Sequence, residues 1–171
     1  MKIATFCYHL AISCWLGGAA LFTFLLTPIL FHAYSRDLAG GIVGVLFPGY
    51  FRWSLVCGVV ALFCRLLVRG RFTLVAACLL TAMLALTAVQ ATVLEPRAAA
   101  LKREIPSFVT TPPDHPARVQ FRRLHAWSMA ANLAVIAGGA VLLLLTTLTP
   151  PGQGGRDHVL ARPLRRTTFL R

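Results

Sequence analysis

Residues 124–148 read LHAWSMAANLAVIAGGAVLLLLTTL, an apolar stretch that contains no Asp, Glu, Lys or Arg. An α-helix needs about 20 predominantly apolar residues to cross a bilayer. Three further apolar stretches approach or exceed that length, at 3–30, 50–68 and 72–94. The sequence therefore predicts four membrane-spanning segments.

The composition supports this interpretation. The chain has 171 residues, of which 57% are hydrophobic and 13% are charged, and its mean hydropathy is +0.72. Backbone groups in lipid must be satisfied internally, which leaves helices or a closed barrel. Since the apolar runs do not alternate as barrel strands do, we predict an all-α fold, an integral membrane four-helix bundle. One domain is expected over 1–149, followed by a basic, disordered tail at 150–171.

The net charge is strongly positive, +12, from 17 basic and five acidic residues. The basic residues lie in loops and in the tail, which favours attraction to anionic lipid headgroups over nucleic-acid binding. Four spans place both termini on one side of the membrane. The basic turn at 65–71 favours cytoplasmic termini, and the expected location is a bacterial inner membrane.

Several polar residues are predicted to meet at the face opposite the termini, here called the far face; the face with the termini is the near face. Because successive spans alternate in direction, the far face collects His32, Tyr50, Arg52, Glu95, Arg97, Arg122, Arg123 and His125. His125, Ser128 and Asn132 then continue inward along one side of the fourth span. Gln90 lies just over one turn below Glu95.

This arrangement indicates a polar pocket that opens at the far face, because ionisable groups in membranes usually face an interior cavity. His125 would be its titratable group, oriented by Ser128 and Asn132, with Tyr50 at the same level. Arg97, Arg122 and Arg123 would attract anions, and Glu95 would pair with one of them. The alternative is anchoring: arginines snorkel at helix ends, and Ser and Asn join helices at about 0.6 kcal/mol per hydrogen bond.

Prolines and glycines predict breaks in the helices. Pro28 should kink the end of the first span, and the third span should end near Glu95-Pro96. Residues 40–49, an apolar run that contains four glycines and Pro48, are expected to form an interfacial segment or a broken start of the second span. The long polar connection after the third span is expected to be partly mobile.

Metal or heme binding is the alternative chemistry. Cys7, Cys64, Cys78 and His9 should lie near the near face, but no CxxC or HxxxH spacing supports a metal site. Heme ligation by His9 and His125 together fails because they lie near opposite faces, whereas His32 with His125, or His9 alone, could serve. No cofactor is the leading expectation, with heme or copper as the alternative.

Three short segments resemble the transmembrane protein 205-like family, a four-pass membrane domain. They are LFPGYF at 46–51, LEPR at 94–97, and FRRLH at 121–125 followed by Ser128 and Asn132. The resemblance covers about residues 5–148 and implies four helices and membrane residence. It implies no catalytic residues, because the family carries no established reaction.

The leading hypothesis is a small multi-pass membrane protein that is not an enzyme. It would bind or help to transport a small ligand, or dock a membrane partner, through the far-face pocket. No P-loop, GxGxxG or HExxH motif is present. The alternatives are a heme- or metal-binding redox protein that uses His9 or His125, and a structural or assembly subunit that binds a membrane-protein partner or a second copy of itself.

Overall fold

The fold consists of four long antiparallel helices. A computed structural model of the chain describes residues 2–68 and 72–147. The first long helix is α1 (Lys2–Ala20), a π-helical segment (Leu21–Leu26) and α2 (Thr27–Ala33), and the second is α3 (Arg36–Leu67). The third is α4 (Thr73–Val89), a π-helical segment (Gln90–Leu94) and α5 (Glu95–Arg103), and the fourth is α6 (Pro116–Thr147). The described residues contain no strand, which confirms the all-α prediction; the tail at 150–171 lies outside them.

Each long helix packs against its neighbours in chain order, and α6 closes the ring by packing against α1. All four are long and apolar enough to cross a membrane. At 1.5 Å per residue, the 32 residues of α3 measure about 48 Å, whereas the hydrocarbon core is about 30 Å thick. The first part of α3, all of α5 and the start of α6 therefore extend beyond the apolar stretches, on the far face.

Two of the prolines, Pro28 and Pro96, are accommodated inside helices, and the third long helix continues to Arg103 instead of ending near Glu95-Pro96 as expected. Each follows a π-helical segment by one residue, at Thr27-Pro28 and Glu95-Pro96. A proline lacks the N–H donor and its ring clashes with the carbonyl four residues before it. A local π-helical turn relieves this clash and lets the helix continue through the membrane. The Phe22 carbonyl accepts the backbone N–H of Thr27 and also the Thr27 hydroxyl, the latter at 2.8 Å.

The expected break before the second span is also wrong. Residues 40–49 belong to the continuous helix α3, with Pro48 inside it. The helix begins at Arg36 with Ser35 as its N-cap, and the Ser35 hydroxyl accepts from the Leu38 N–H at 3.4 Å. Two of the four glycines at 40–49 make room for a neighbour, since the Lys102 side chain of α5 lies across Gly40 and Gly44.

The apolar core occupies the near-face half of the bundle. Trp15 is 2% exposed and packs among Ile12, Leu80 and Leu142, which are likewise buried. The closest approach is at Gly58 of α3, where a Cβ atom would lie 2.7 Å from Trp15 Cζ3 and 2.5 Å from Leu84 Cδ2. Glycine is therefore required at this crossing of α1 and α3.

The connection from α5 to α6 is tied to the start of α3. The Asp37 carboxylate accepts hydrogen bonds from the Ser107 hydroxyl at 2.6 Å and from the Phe108 N–H at 2.7 Å. Arg118 donates to the Thr111 carbonyl and lies 5.8 Å from the centre of the Phe108 ring. Ile105 is buried in the same region. These contacts form an ordered lobe on the far face.

Gly58→Ala should destabilise the protein, because overpacking against the rigid Trp15 ring costs about 1–3 kcal/mol. Gly17→Ala is the matched control, since a Cβ at Gly17 of α1 meets no atom within 4 Å. That control should be neutral or stabilising by up to about 1 kcal/mol. Thermal unfolding in detergent, followed by circular dichroism, measures both. Equal melting temperatures for the two variants would contradict the packing at Gly58.

Asp37→Ala should release the α5–α6 connection, because it removes both acceptors that hold Ser107 and Phe108. Limited trypsin digestion should then cleave after Arg103 faster than in the unmodified protein. Asp114→Ala is the control, since Asp114 is an exposed carboxylate of the same connection. If both variants are cleaved at the parent rate, Asp37 does not hold the connection in place.

Candidate functional site

A polar network joins all four long helices at one depth in the bundle. Asn132 of α6 is its centre: its Oδ1 accepts from the Tyr50 hydroxyl at 2.5 Å, and its Nδ2 donates to Thr23 Oγ1 at 2.6 Å. One turn away on α6, the Ser128 hydroxyl donates to Gln90 Oε1 at 3.1 Å. Thr23, Tyr50 and Gln90 come from the first, second and third long helices, respectively.

Two of the three hydrogen-bond partners of α6 come from the π-helical segments. Thr23 lies within the first segment and Gln90 begins the second. Gln90 is 2% exposed, so its side-chain oxygen depends on Ser128 for a partner in an environment where unpaired polar groups are costly. The network therefore depends on the same backbone irregularities that accommodate Pro28 and Pro96.

An aromatic stack holds Tyr50 in position. Its ring lies 4.8 Å from that of Phe22, centre to centre, at an interplanar angle of 22°. Phe22 also contacts Phe47 at 5.4 Å, and Phe47 stacks on Phe51 at 5.6 Å. Phe47, Tyr50 and Phe51 lie on one side of α3. The neighbouring phenylalanine rings hold Tyr50 so that its hydroxyl reaches Asn132, which fits the usual need of a buried tyrosine for a partner at its polar end.

A groove between α5 and α6 brings two of the predicted arginines together. The groove has a volume of about 420 Å³, and its lining includes Arg97 of α5 and Arg123 of α6. Gln120, Ala100, Leu101, Leu124 and Trp127 complete the lining. No Asp or Glu is among the lining residues, so two cations face the groove without a countercharge from its walls.

The remaining predicted residues lie apart from both places. His125 is exposed and stacks on Phe121 of its own helix, with the ring centres 6.2 Å apart. None of the hydrogen bonds among the described residues joins it to Ser128 or Asn132. Arg122 is exposed outside the groove, and Glu95 is half-buried. The eight predicted site residues thus separate into an inner network, an outer groove and residues that belong to neither.

Of the near-face residues proposed for metal or heme, Cys7 and Cys64 belong to the same packed cluster. The His9 ring contacts Tyr8, 5.2 Å between centres. Cys7, Cys64 and Cys78 are free thiols, and Cys78 is exposed. Within residues 2–68 and 72–147, no three His, Cys, Asp or Glu side chains are grouped so that they could hold a metal ion.

The chain belongs to the family described as a domain of unknown function, DUF4149, which it matches over residues 10–107. This range includes Thr23, Tyr50, Gln90 and Arg97; Arg123 and Asn132 lie beyond it. Neither the curated proteins nor the solved structures contain a match. The comparisons give no support for the narrower likeness to the transmembrane protein 205-like family. With four helices apolar enough to cross a membrane, the chain is a multi-pass membrane protein of this family.

Asn132→Ala should cost about 1–3 kcal/mol of stability, because it leaves the Tyr50 and Thr23 hydroxyls without their partner. The double-mutant cycle with Tyr50→Phe should give a coupling of about 0.6 kcal/mol or more. Thr81→Val is the control, since that exposed hydroxyl bonds only to Ala77 of its own helix. Unfolding in mixed micelles measures each variant. Strictly additive effects of Tyr50→Phe and Asn132→Ala would show that the network does not join the helices.

Proposed function

We propose that the protein binds a small anionic ligand in the groove between α5 and α6 and performs no reaction on it. The observation that carries this proposal is the convergence of Arg97 and Arg123, from two different long helices, on one groove. A guanidinium group can bind a phosphate or carboxylate through two parallel hydrogen bonds. Two of them, unopposed by a lining carboxylate, favour an anion over a neutral ligand.

The inner network supports the proposal by fixing how the two helices align. The Ser128–Gln90 hydrogen bond connects α6 to the third long helix just below α5. Antiparallel helices aligned at this point have Arg123 and Arg97 within about one turn of the same level. Ser128 and Asn132 have their own hydrogen-bond partners in other helices, which favours a positioning role over direct contact with the ligand.

The absence of catalysis is proposed from the chemistry of the lining. Besides the two arginines, the groove presents only an amide, an indole and aliphatic side chains. An arginine is always protonated and cannot serve as a general base. None of the lining residues offers the nucleophile and adjacent base that covalent catalysis requires. Arg97 and Arg123 can therefore bind and orient an anion.

The proposed orientation of the protein in the membrane has both termini in the cytoplasm and the groove at the opposite membrane surface. Arg65, in the last turn of α3, belongs to the basic turn at 65–71 on the near face. Short basic turns of this kind are retained in the cytoplasm. A ligand would then reach the groove from outside the cytoplasm.

Arg97→Gln and Arg123→Gln should each weaken the binding of an anion about tenfold, the effect of losing a charge-assisted hydrogen bond. Butyl phosphate is the probe and butanol its neutral control, measured by thermal shift on the detergent-purified protein. Arg122→Gln is the matched control, because Arg122 neighbours Arg123 but lies outside the groove. Binding that is unaffected by both groove variants, or equally reduced by Arg122→Gln, would contradict the proposal.

A further inference from the structure

The lining of the groove is ordered along the direction from the membrane interior to the far-face surface. The Ser128–Gln90 hydrogen bond fixes the starting level. At 1.5 Å per residue, Arg123 lies about 8 Å and Arg97 about 10 Å beyond that pair. Trp127 is next to Ser128 in α6, so it lies at the membrane end of the groove.

Trp127 is also unusually exposed for so large an apolar side chain. It is 69% exposed, although it neighbours the buried polar network. Indole rings favour the membrane–water interface, where one edge contacts acyl chains and the N–H contacts polar groups. From its membrane end outward, the groove presents the indole of Trp127, then Leu124 and the two guanidinium groups, and beyond these Gln120, Ala100 and Leu101.

We infer that the ligand is an anionic phospholipid, with its phosphate between Arg97 and Arg123 and its ester region against Trp127. This inference rests on the proposed function and names the class of its ligand. From Trp127 to the two arginines, the order of the lining matches the order of chemical groups in a phospholipid, from acyl chain to phosphate. A free anion would use the two arginines but would leave Trp127 and Leu124 without a role.

The charge of the groove selects among lipids. A zwitterionic headgroup such as phosphocholine would place its ammonium group near two guanidinium groups, with no lining carboxylate to compensate. An acidic headgroup such as phosphatidylglycerol avoids that repulsion. The protein's excess of 17 basic over five acidic residues also attracts acidic lipids in general, so the test must separate the groove from this background.

Quenching of tryptophan fluorescence by brominated acyl chains tests the inference on the full chain in vesicles. The vesicles consist of phosphatidylcholine and a small fraction of brominated lipid, which is either phosphatidylglycerol or phosphatidylcholine. Trp15 is buried, whereas Trp53 is 52% exposed and is also open to quenching, so the part of the extra quenching that is lost in Trp127→Phe reports Trp127. We expect a preference of about tenfold for phosphatidylglycerol, and Trp127→Phe should abolish the extra quenching.

The arginine variants distinguish the groove from general attraction. The double variant Arg97→Gln/Arg123→Gln should bring the preference to near parity, whereas Arg122→Gln should retain it. The double variant Arg97→Lys/Arg123→Lys keeps the charge and should keep part of the preference for phosphatidylglycerol. It shows whether the loss in the glutamine double variant comes from the missing charge or from misfolding. Loss of the preference in Arg122→Gln to the same extent would overturn the inference in favour of nonspecific surface charge.

Competition with soluble butyl phosphate separates this inference from the proposed function. Butyl phosphate should fail to displace the lipid at equal concentration, because it lacks the acyl contacts with Trp127 and Leu124. Displacement at equal concentration would overturn the lipid inference and leave anion binding intact. If neither probe depends on Arg97 and Arg123, both the lipid inference and the proposed function fail.

Discussion

The hydrogen bonds of Asn132 are the interaction on which the far half of the bundle depends. Within hydrocarbon, a polar side chain has no water and must find its partner inside the protein. Asn132 meets this requirement through Tyr50 and Thr23, and Ser128 meets it through Gln90. Because these bonds join four different helices, they fix both the rotation and the axial alignment of α6. The position of Arg123 beside Arg97 is a consequence of that alignment.

The two π-helical segments link the backbone to this network. Each lies just before a proline, and each contributes a side chain that bonds to α6. Single π-helical turns within α-helices often occur at functional sites. Here they allow the first and third long helices to continue past Pro28 and Pro96. The far-face lobe includes α5, one wall of the groove. The prolines, the polar network and the groove are therefore structurally linked through the two π-helical segments.

Hydropathy was sufficient to predict the four spans and the all-α fold, because lipid leaves few alternatives for an apolar chain. It could also predict that Tyr50, Ser128 and Asn132 all lie toward the far-face end of the bundle. It could not predict which arginines share a groove: Arg122 and Arg123 differ by about 100° around α6, and only packing decides which one faces α5. Thr23 carried no signal, since a lone threonine in an apolar helix usually bonds to its own backbone, as Thr87 does to Met83. The contact of Asp37 with Ser107 joins distant parts of the chain and has no local pattern.

A crystal structure grown from a lipidic mesophase doped with phosphatidylglycerol would test the central claim most directly. The claim is that the Asn132 network aligns α5 and α6 so that Arg97 and Arg123 hold one anionic headgroup. The account predicts phosphate density between the two guanidinium groups, acyl-chain density beside Trp127, and the hydrogen bonds of Asn132 to Tyr50 and Thr23. A groove that is closed, or that holds the neutral host lipid with the arginines turned away, would contradict it.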